Sequence, residues 1–164
     1  MSEAREIQVH MCQIAVGSVG DVLRATLGSC VGIGLLWHER ALYGLAHCLL
    51  PGDGASARTD AGPPGIGAKY VTQAVPSLLR LMGITDEARA SIEAVLAGGA
   101  NMMSYPVTPR HEAIGEQNVR VARQLLGELG LRVVHHDVGG ECGRQLVIDC
   151  ARHEYRVRRF ARSP

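Results

Sequence analysis

Two apolar segments separated by three polar residues place the strongest constraint on how this chain can fold. Residues 31–37 and 41–50 are rich in aliphatic side chains, and His38, Glu39 and Arg40 stand between them. Both segments are too short or too interrupted to cross a bilayer, and their length and composition are typical of buried strands. We therefore predict a β-hairpin, although its turn contains no Asn-Gly or Asp-Gly pair.

The rest of the chain shows both strand and helix patterns. Amphipathic helices are predicted over about residues 67–82 and 114–129, which end before Gly83 and Gly130. Strand patterns mark five further segments: residues 6–12, 92–96, 132–136, 145–150 and 154–159. Many strands with only two main helices predict an α+β fold, a layered α/β sandwich of mixed sheets, and not a repeating doubly wound sheet.

Two stretches are predicted to lack regular structure. One is turn-rich and runs through Gly17 and Gly20. The other, residues 51–64, consists largely of Gly, Pro, Asp, Ser and Ala and is longer than most internal loops. Long loops are often functional, so we expect residues 51–64 to border the functional site.

Composition predicts one cytoplasmic domain over residues 1–164. The chain has 46% hydrophobic and 4% aromatic residues, so its core must be aliphatic, and its net charge of +1 gives no overall attraction to nucleic acid or membranes. Its N-terminus has no signal-peptide pattern. The five cysteines form no CxxC pair, which argues against a secreted disulfide framework and against a structural zinc site. We expect no cofactor and no metal.

Cys30 and His47 lie on the two arms of the predicted hairpin. If Trp37 opposes Arg40, opposed residues have numbers that sum to 77, and Cys30 then faces His47 directly. Opposed side chains have Cβ atoms about 4.5–5.5 Å apart, within reach of a thiol–imidazole hydrogen bond. A turn one residue longer would instead place His47 on the other face, opposite Val31.

A cysteine beside a histidine is a plausible nucleophile and base. A neighbouring imidazolium lowers the pKa of a thiol, and it can then protonate an amine leaving group. Gly28 and Ser29, just before Cys30, leave backbone N–H groups unshielded for an oxyanion hole that binds substrate. The alternative interpretation is a core strand in which Cys30 and His47 serve packing alone, since cysteine is among the most commonly buried residues.

Several segments resemble, in the same order, those of the CheD family of chemoreceptor glutamine deamidases. The two signature segments are Leu27-Gly28-Ser29-Cys30-Val31-Gly32 and Ala46-His47-Cys48-Leu49-Leu50-Pro51. Further matching segments are Lys69-Tyr70, Gly98-Gly99-Ala100-Asn101-Met102, Ile114-Gly115-Glu116-Gln117-Asn118-Val119 and Asp137-Val138-Gly139-Gly140. The resemblance covers nearly the whole chain and favours the catalytic interpretation of Cys30 and His47.

The resemblance implies a reaction, a fold and partners. CheD proteins hydrolyse the side-chain amide of specific glutamines on the cytoplasmic helices of chemoreceptors, which yields glutamate and ammonia. Their fold is similar to that of toxin-type cysteine deamidases, and several of them bind CheC, a phosphatase that limits their activity. The family nucleophile and its histidine match Cys30 and His47. We therefore expect chemoreceptor helices, and a CheC-like phosphatase, as partners.

The third catalytic residue of the family matches this sequence less well. The family uses a threonine shortly before the cysteine to position the histidine. In forms with the longer Gly-Leu-Gly-Ser-Cys pattern it lies six residues upstream, where this chain has Arg24. Thr26, four residues upstream, is the candidate, because positions 24 and 26 share a face in a regular strand.

Two further functions remain open from the sequence. One is a non-enzymatic module that binds a CheC-like phosphatase or a receptor and merely retains the site. The other is a methylesterase, since a thioester forms equally from a glutamate methyl ester.

Overall fold

The computed structural model describes residues 5–52, 65–101 and 112–160, and these ranges form nine strands and two α-helices. The first five strands are β1 (Arg5–Gln8), β2 (Ile14–Gly17), β3 (Asp21–Leu27), β4 (Val31–Trp37) and β5 (Leu42–Cys48). They are followed by α1 (Val71–Met82), β6 (Glu93–Gly98), α2 (Ile114–Glu128), β7 (Arg132–Val138), β8 (Gly143–Asp149) and β9 (Glu154–Phe160).

The strands form two mixed sheets. The four-stranded sheet has the order β1-β3-β8-β9, and the five-stranded sheet has the order β2-β5-β4-β6-β7. Strands β1 and β3 pair in parallel, as do β6 and β7, whereas the other neighbours are antiparallel. The predicted α+β layered sandwich of mixed sheets with two main helices is confirmed.

The five-stranded sheet is the middle layer. One of its faces packs on α1 and α2 through residues such as Ile33, Ala46 and Leu78. The other face packs on the four-stranded sheet through residues such as Leu45, Val95 and Ile148. Alternate residues of β4 and β5 therefore serve two different cores, which explains why both strands are apolar throughout.

Glycines let the two sheets and the helix approach closely. A Cβ at Gly34 would lie 2.9 Å from Cδ1 of Ile148 in the four-stranded sheet, and one at Gly32 would lie 2.9 Å from Cδ1 of Leu27. A Cβ at Gly44 would instead lie 2.6 Å from Cδ2 of Leu78 in α1. The even-numbered positions of β4 thus face the four-stranded sheet, and the even-numbered positions of β5 face the helices.

Most predicted elements are confirmed within one to four residues, and β4 has the predicted bounds. Helix α1 ends at Gly83, which has a left-handed φ of 68°. The stretch that the sequence predicted to be rich in turns differs from that prediction, because it contains the strands β2 and β3. Strand β2 has only four residues and β3 begins directly after Gly20, so the glycines that flank the turn hid the alternation of buried residues along β3.

The predicted register of the hairpin is wrong. Trp37 pairs with Leu42, so opposed residues sum to 79, and His47 lies opposite Gly32. The connection is longer than expected because residues 38–40 form a 3₁₀ turn and Ala41 adopts a left-handed φ of 50°. The slip is two residues, an even number, so it moves His47 along the strand without turning it to the other face.

Residues 53–64 of the predicted surface loop lie outside the described residues, so the expectation that this loop borders the site stays a prediction. No helix in the described ranges is both long and apolar enough to cross a membrane.

The contact between Gly34 and Ile148 predicts a specific coupling between the sheets. Gly34→Val should lower the free energy of unfolding by about 1–3 kcal/mol, because the added methyl groups overpack the inter-sheet core. Ile148→Val removes the Cδ1 that a residue at 34 would strike, so the double variant should lose less stability than the sum of the single variants. Urea unfolding of wild type and the three variants measures this coupling.

A matched control comes from a glycine in open space. No atom lies within 4 Å of a Cβ built at Gly127 in α2, so Gly127→Ala should raise stability by about 0.5–1 kcal/mol. Additive effects of Gly34→Val and Ile148→Val, to within about 0.5 kcal/mol, would contradict the proposed contact.

Candidate active site

The structure brings Cys30 and His47 to one face at the same end of the hairpin. Cys30 immediately precedes β4 and packs in the core between the two sheets. His47 lies near the end of β5 on the same inter-sheet face as Tyr43 and Leu45. In the observed register Cys30 is diagonal to His47 and not opposite to it. Diagonal neighbours are about 7–8 Å apart, within reach of an imidazole.

Both side chains are almost completely withdrawn from solvent. Cys30 is 4% exposed and His47 is 5% exposed. No hydrogen bond joins the thiol to the imidazole in the described part of the chain. The two side chains are thus diagonal neighbours in the strand register, and they lie in a medium where charges interact strongly.

A backbone carbonyl orients the imidazole. Nδ1 of His47 is 2.9 Å from the carbonyl oxygen of Val9, and this contact is buried. A carbonyl can only accept a hydrogen bond, so Nδ1 carries the proton and Nε2 is the free base. The backbone of His47 is held by the same turn, because the Cys12 N–H donates to its carbonyl and its own N–H donates to Gln13.

Burial keeps both members of the pair neutral. Desolvation raises the pKa of the Cys30 thiol, and the nearby Cys12 adds to this rise. Desolvation also lowers the pKa of His47, although its hydrogen bond to Val9 opposes the change. The sequence predicted a thiol pKa lowered by an imidazolium, and the resting structure differs because burial is the larger effect.

The turn before Cys30 carries the predicted oxyanion-hole residues. Gly28 and Ser29 are half-buried, and their carbonyls are used as acceptors from Ala100 and Asn118. Within the described ranges, neither N–H donates to another backbone group. Both N–H groups are thus available to an oxyanion beside the thiol.

A glycine turn at Gly98 and Gly99 supports the Cys30 carbonyl through a hydrogen bond. The Gly99 N–H donates to this carbonyl over 2.9 Å, and the Ala100 N–H donates to the carbonyl of Gly28 over 3.0 Å. Gly98 and Gly99 have φ angles of 102° and 66°, and a Cβ at Gly98 would overlap the Cys30 carbonyl oxygen. Only glycine satisfies both requirements at position 98.

An ion pair supports the adjoining turn between β7 and β8. Arg144, 3% exposed, pairs with Asp137 over 3.1 Å and donates to the carbonyls of Gly139 and Cys142. Burial alone would raise the pKa of Asp137, but Arg159 and Arg144 lower it below its ordinary value. The Gly139 N–H in turn donates to Gly98, so this turn braces the glycine turn beneath Cys30.

Thr26 is not brought to the pair. It is exposed on β3, opposite Gln145, whose amide nitrogen lies 3.5 Å from its hydroxyl. The neighbouring Leu27 and Ala25 face the inter-sheet core, so Thr26 faces the opposite side of the four-stranded sheet. Arg24 shares that outer face, as the spacing predicted, and donates to Gln145.

Sequence reasoning missed two contributors to the site. Val9 supplies a backbone carbonyl, which no side-chain pattern can reveal. Cys12, at the end of the segment predicted as a strand over residues 6–12, lies instead in a turn with a left-handed φ of 70° and lines a cleft of about 360 Å³ with Val9 and Gln13. Cys48, in contrast, packs on the helix side of β5 and points away from the His47 face.

The chain is similar to a known protein family. Residues 49–159 match the model of the family described as CheD chemotactic sensory transduction, which is more than half of the chain. This match begins two residues after His47, so it includes neither Cys30 nor His47.

Three relatives illustrate the similarity. A probable chemoreceptor glutamine deamidase CheD 2 from Ruegeria sp. (strain TM1040) is 42% identical over 98% of this chain and 95% of its own length. A probable chemoreceptor glutamine deamidase CheD from Bdellovibrio bacteriovorus is 35% identical over 87% of this chain and 88% of its own length. A protein of the same name from Pyrococcus abyssi is 38% identical over 94% of this chain and 92% of its own length.

One solved structure shows a weaker likeness. The Bacillus licheniformis hypothetical protein YfiH has a TM-score of 0.40 and 18% sequence identity, over 73% of this chain and 46% of that one. These values are too low to support any conclusion about the site.

The lowered pKa of His47 predicts a specific dependence of stability on pH. Below about pH 6.5 an unfolded chain binds a proton at this histidine while the folded protein does not. The free energy of unfolding should therefore decrease as pH falls from neutrality toward the lowered pKa of the folded state. In His47→Gln this part of the pH dependence should be absent. Urea unfolding of both proteins across this range measures the difference.

The other histidines are common to both proteins and cancel in the comparison. Glutamine retains an amide that can donate to Val9, so the folded geometry should be kept. Identical pH dependence in the two proteins would show that His47 titrates normally in the folded state.

Proposed function

The chain belongs to the CheD family, and from this premise we propose that it hydrolyses the side-chain amide of specific glutamines on the cytoplasmic helices of chemoreceptors. The observation that carries the proposal is the placement of Cys30 and His47 on one buried face at the same end of the hairpin, with the proton of the imidazole fixed on Nδ1 by Val9. The relatives named as glutamine deamidases support the choice of substrate.

The first half of the reaction forms a thioester. As the substrate carboxamide enters, the Cys30 thiol transfers its proton to Nε2 of His47, and the thiolate attacks the carbonyl carbon. The N–H groups of Gly28 and Ser29 stabilise the resulting oxyanion. The carbon–nitrogen bond then breaks, and the imidazolium gives its proton to the departing ammonia.

The second half of the reaction releases glutamate. Water gives a proton to Nε2 of His47 and attacks the thioester carbon. The carbon–sulfur bond breaks, the proton returns to sulfur, and the free thiol is restored. No cofactor or metal is required by this sequence of steps.

Two partners and a location follow from the proposal. The substrate is a receptor surface from which a glutamine side chain can extend into the site. A CheC-like phosphatase is a second proposed partner, on the strength of the family resemblance alone. Because the receptor helices that carry these glutamines are cytoplasmic, the protein is proposed to act in the cytoplasm.

The assignment of the third catalytic residue is revised in this proposal. The carbonyl of Val9 orients the imidazole, which is the role expected of the family threonine. Thr26 faces away from the pair, so we expect Thr26→Val to retain at least half of the wild-type rate, whereas a role for Thr26 in positioning His47 would lower it by about 100-fold.

Removal of the nucleophile gives the decisive test. A receptor cytoplasmic fragment is incubated with wild type, Cys30→Ala, His47→Ala and Cys142→Ala, and peptide mass spectrometry detects the conversion of glutamine to glutamate. Cys30→Ala should abolish conversion, and His47→Ala should lower its rate by about 10²–10⁴-fold, because general acid–base catalysis is lost. Cys142→Ala is the matched control, since this cysteine lies in the turn between β7 and β8, and it should retain activity.

The same experiment separates an enzyme from a binding module. Full activity of Cys30→Ala would refute the assigned nucleophile. Tight binding of the receptor fragment by folded wild-type protein, with no conversion on any receptor tried, would instead favour the non-enzymatic module.

A further inference from the structure

Asn118 has the most unusual environment of the polar side chains on α2. It is completely buried, at 0% exposure. Its amide nitrogen donates to the carbonyl of Ser29 over 3.0 Å and to the carbonyl of Leu49 over 3.1 Å. Both hydrogens of the amide group are therefore used on main-chain oxygens of other segments.

The two acceptors flank the proposed catalytic pair. Ser29 is the residue directly before Cys30, and Leu49 lies two residues after His47. The last pair of the β4–β5 ladder is Val31 with Cys48, and one further pair in the same register places Leu49 opposite Cys30. One carboxamide thus joins the turn that carries the thiol to the strand that carries the imidazole, at the point where the regular hairpin pairing ends.

Asparagine is well suited to this position. Two carbonyl acceptors require a group with two N–H donors at one nitrogen, which fixes the orientation of the amide. An aspartate could donate to neither carbonyl, and a leucine of similar size would leave both without this donor. The remaining oxygen, Oδ1, is buried and has no hydrogen-bond partner in the described part of the chain.

The helix is positioned to present Asn118 at this point. A Cβ at Gly115 would overlap the backbone of Gly99 and Ala100, so the first turn of α2 lies directly against the glycine turn that supports Cys30. The closeness of the two backbones leaves little freedom for Asn118 to move relative to Ser29. The carboxamide is therefore held rigidly by the helix.

We infer that Asn118 is a positioning residue, which holds the Cys30 turn and the His47 strand at the separation that proton transfer from thiol to imidazole requires. This inference rests on the proposed function but concerns a residue that touches neither the substrate nor the reacting atoms. A displacement of about 1 Å between reacting groups can cost about 100-fold in rate.

The test compares Asn118→Leu and Asn118→Ser with Leu126→Ala. Leu126 is fully buried two turns further along the same helix, in the helix-side core, so it controls for loss of stability alone. Asn118→Ser is smaller than leucine and keeps one donor, so it provides a folded variant if Asn118→Leu unfolds. Each protein is assayed on the receptor fragment well below its melting temperature.

Kinetic constants should separate positioning from stability. Asn118→Leu should lower kcat by about 100-fold while KM changes by less than about threefold, because only the chemical step depends on the geometry. Asn118→Ser should fall between Asn118→Leu and wild type. Leu126→Ala should retain kcat within about twofold despite its lower melting temperature. If the folded Asn118 variants had the same kcat as Leu126→Ala, the inference would be overturned.

A second measurement is independent of the deamidation reaction. The rate at which iodoacetamide alkylates Cys30, followed by mass spectrometry of the Cys30 peptide, should in wild type decrease as His47 becomes protonated at low pH. In Asn118→Leu and Asn118→Ser this histidine-dependent limb should weaken or disappear, as in His47→Ala. An unchanged alkylation profile would overturn the inference even if wild type converts no glutamine, so its failure is distinguishable from failure of the proposed function.

Discussion

The hydrogen bond from the Gly99 N–H to the Cys30 carbonyl is the contact on which the arrangement of the site depends. It requires backbone to approach backbone, and a side chain at position 98 would overlap that same carbonyl oxygen. Once this contact forms, the end of β6 fixes the turn before β4. Helix α2 then packs on the glycine turn because Gly115 also lacks a Cβ. The cysteine just before β4 would otherwise be held on one side only.

The layered fold explains why the pair lies between the sheets. Residues of β4 and β5 alternate between the helix core and the inter-sheet core, so the parity of a residue number decides its chemical surroundings. Cys30 continues the even-numbered positions of β4, and His47 is an odd-numbered position of β5, so both lie on the inter-sheet face. Cys48 lies on the helix side. The adjacent cysteine at 48 is fully buried there, and burial raises its pKa far above the ordinary value. It is therefore an inert packing residue beside a potential base.

The sequence predicts the layers and the proximity of the pair but not the detailed contacts. Periodicity located both helices and most strands, because amphipathic patterns report burial. The hairpin register failed by two residues, since turn length depends on the 3₁₀ conformation of residues 38–40 and on the left-handed Ala41, which no turn motif signals. The same face was nevertheless predicted for Cys30 and His47, because an even slip preserves parity. Val9 could not have been found, as its contribution is a main-chain carbonyl. Asn118 lies in a segment that resembles the family, but the sequence assigns it no role.

Because burial favours the neutral forms of Cys30 and His47, the separation between these two residues is important. Burial raises the pKa of Cys30 and lowers that of His47, so the proton transfer proposed between them would create two charges in a medium that solvates neither well. Their mutual attraction offsets this cost only when the charges are close, because Coulomb energy at low dielectric rises steeply as the separation shrinks. A solvated pair would tolerate a loose separation, since water stabilises each charge by itself. A buried pair does not, which is why rigid supports such as the Gly99 turn, the Val9 carbonyl and the Asn118 carboxamide converge on these two residues.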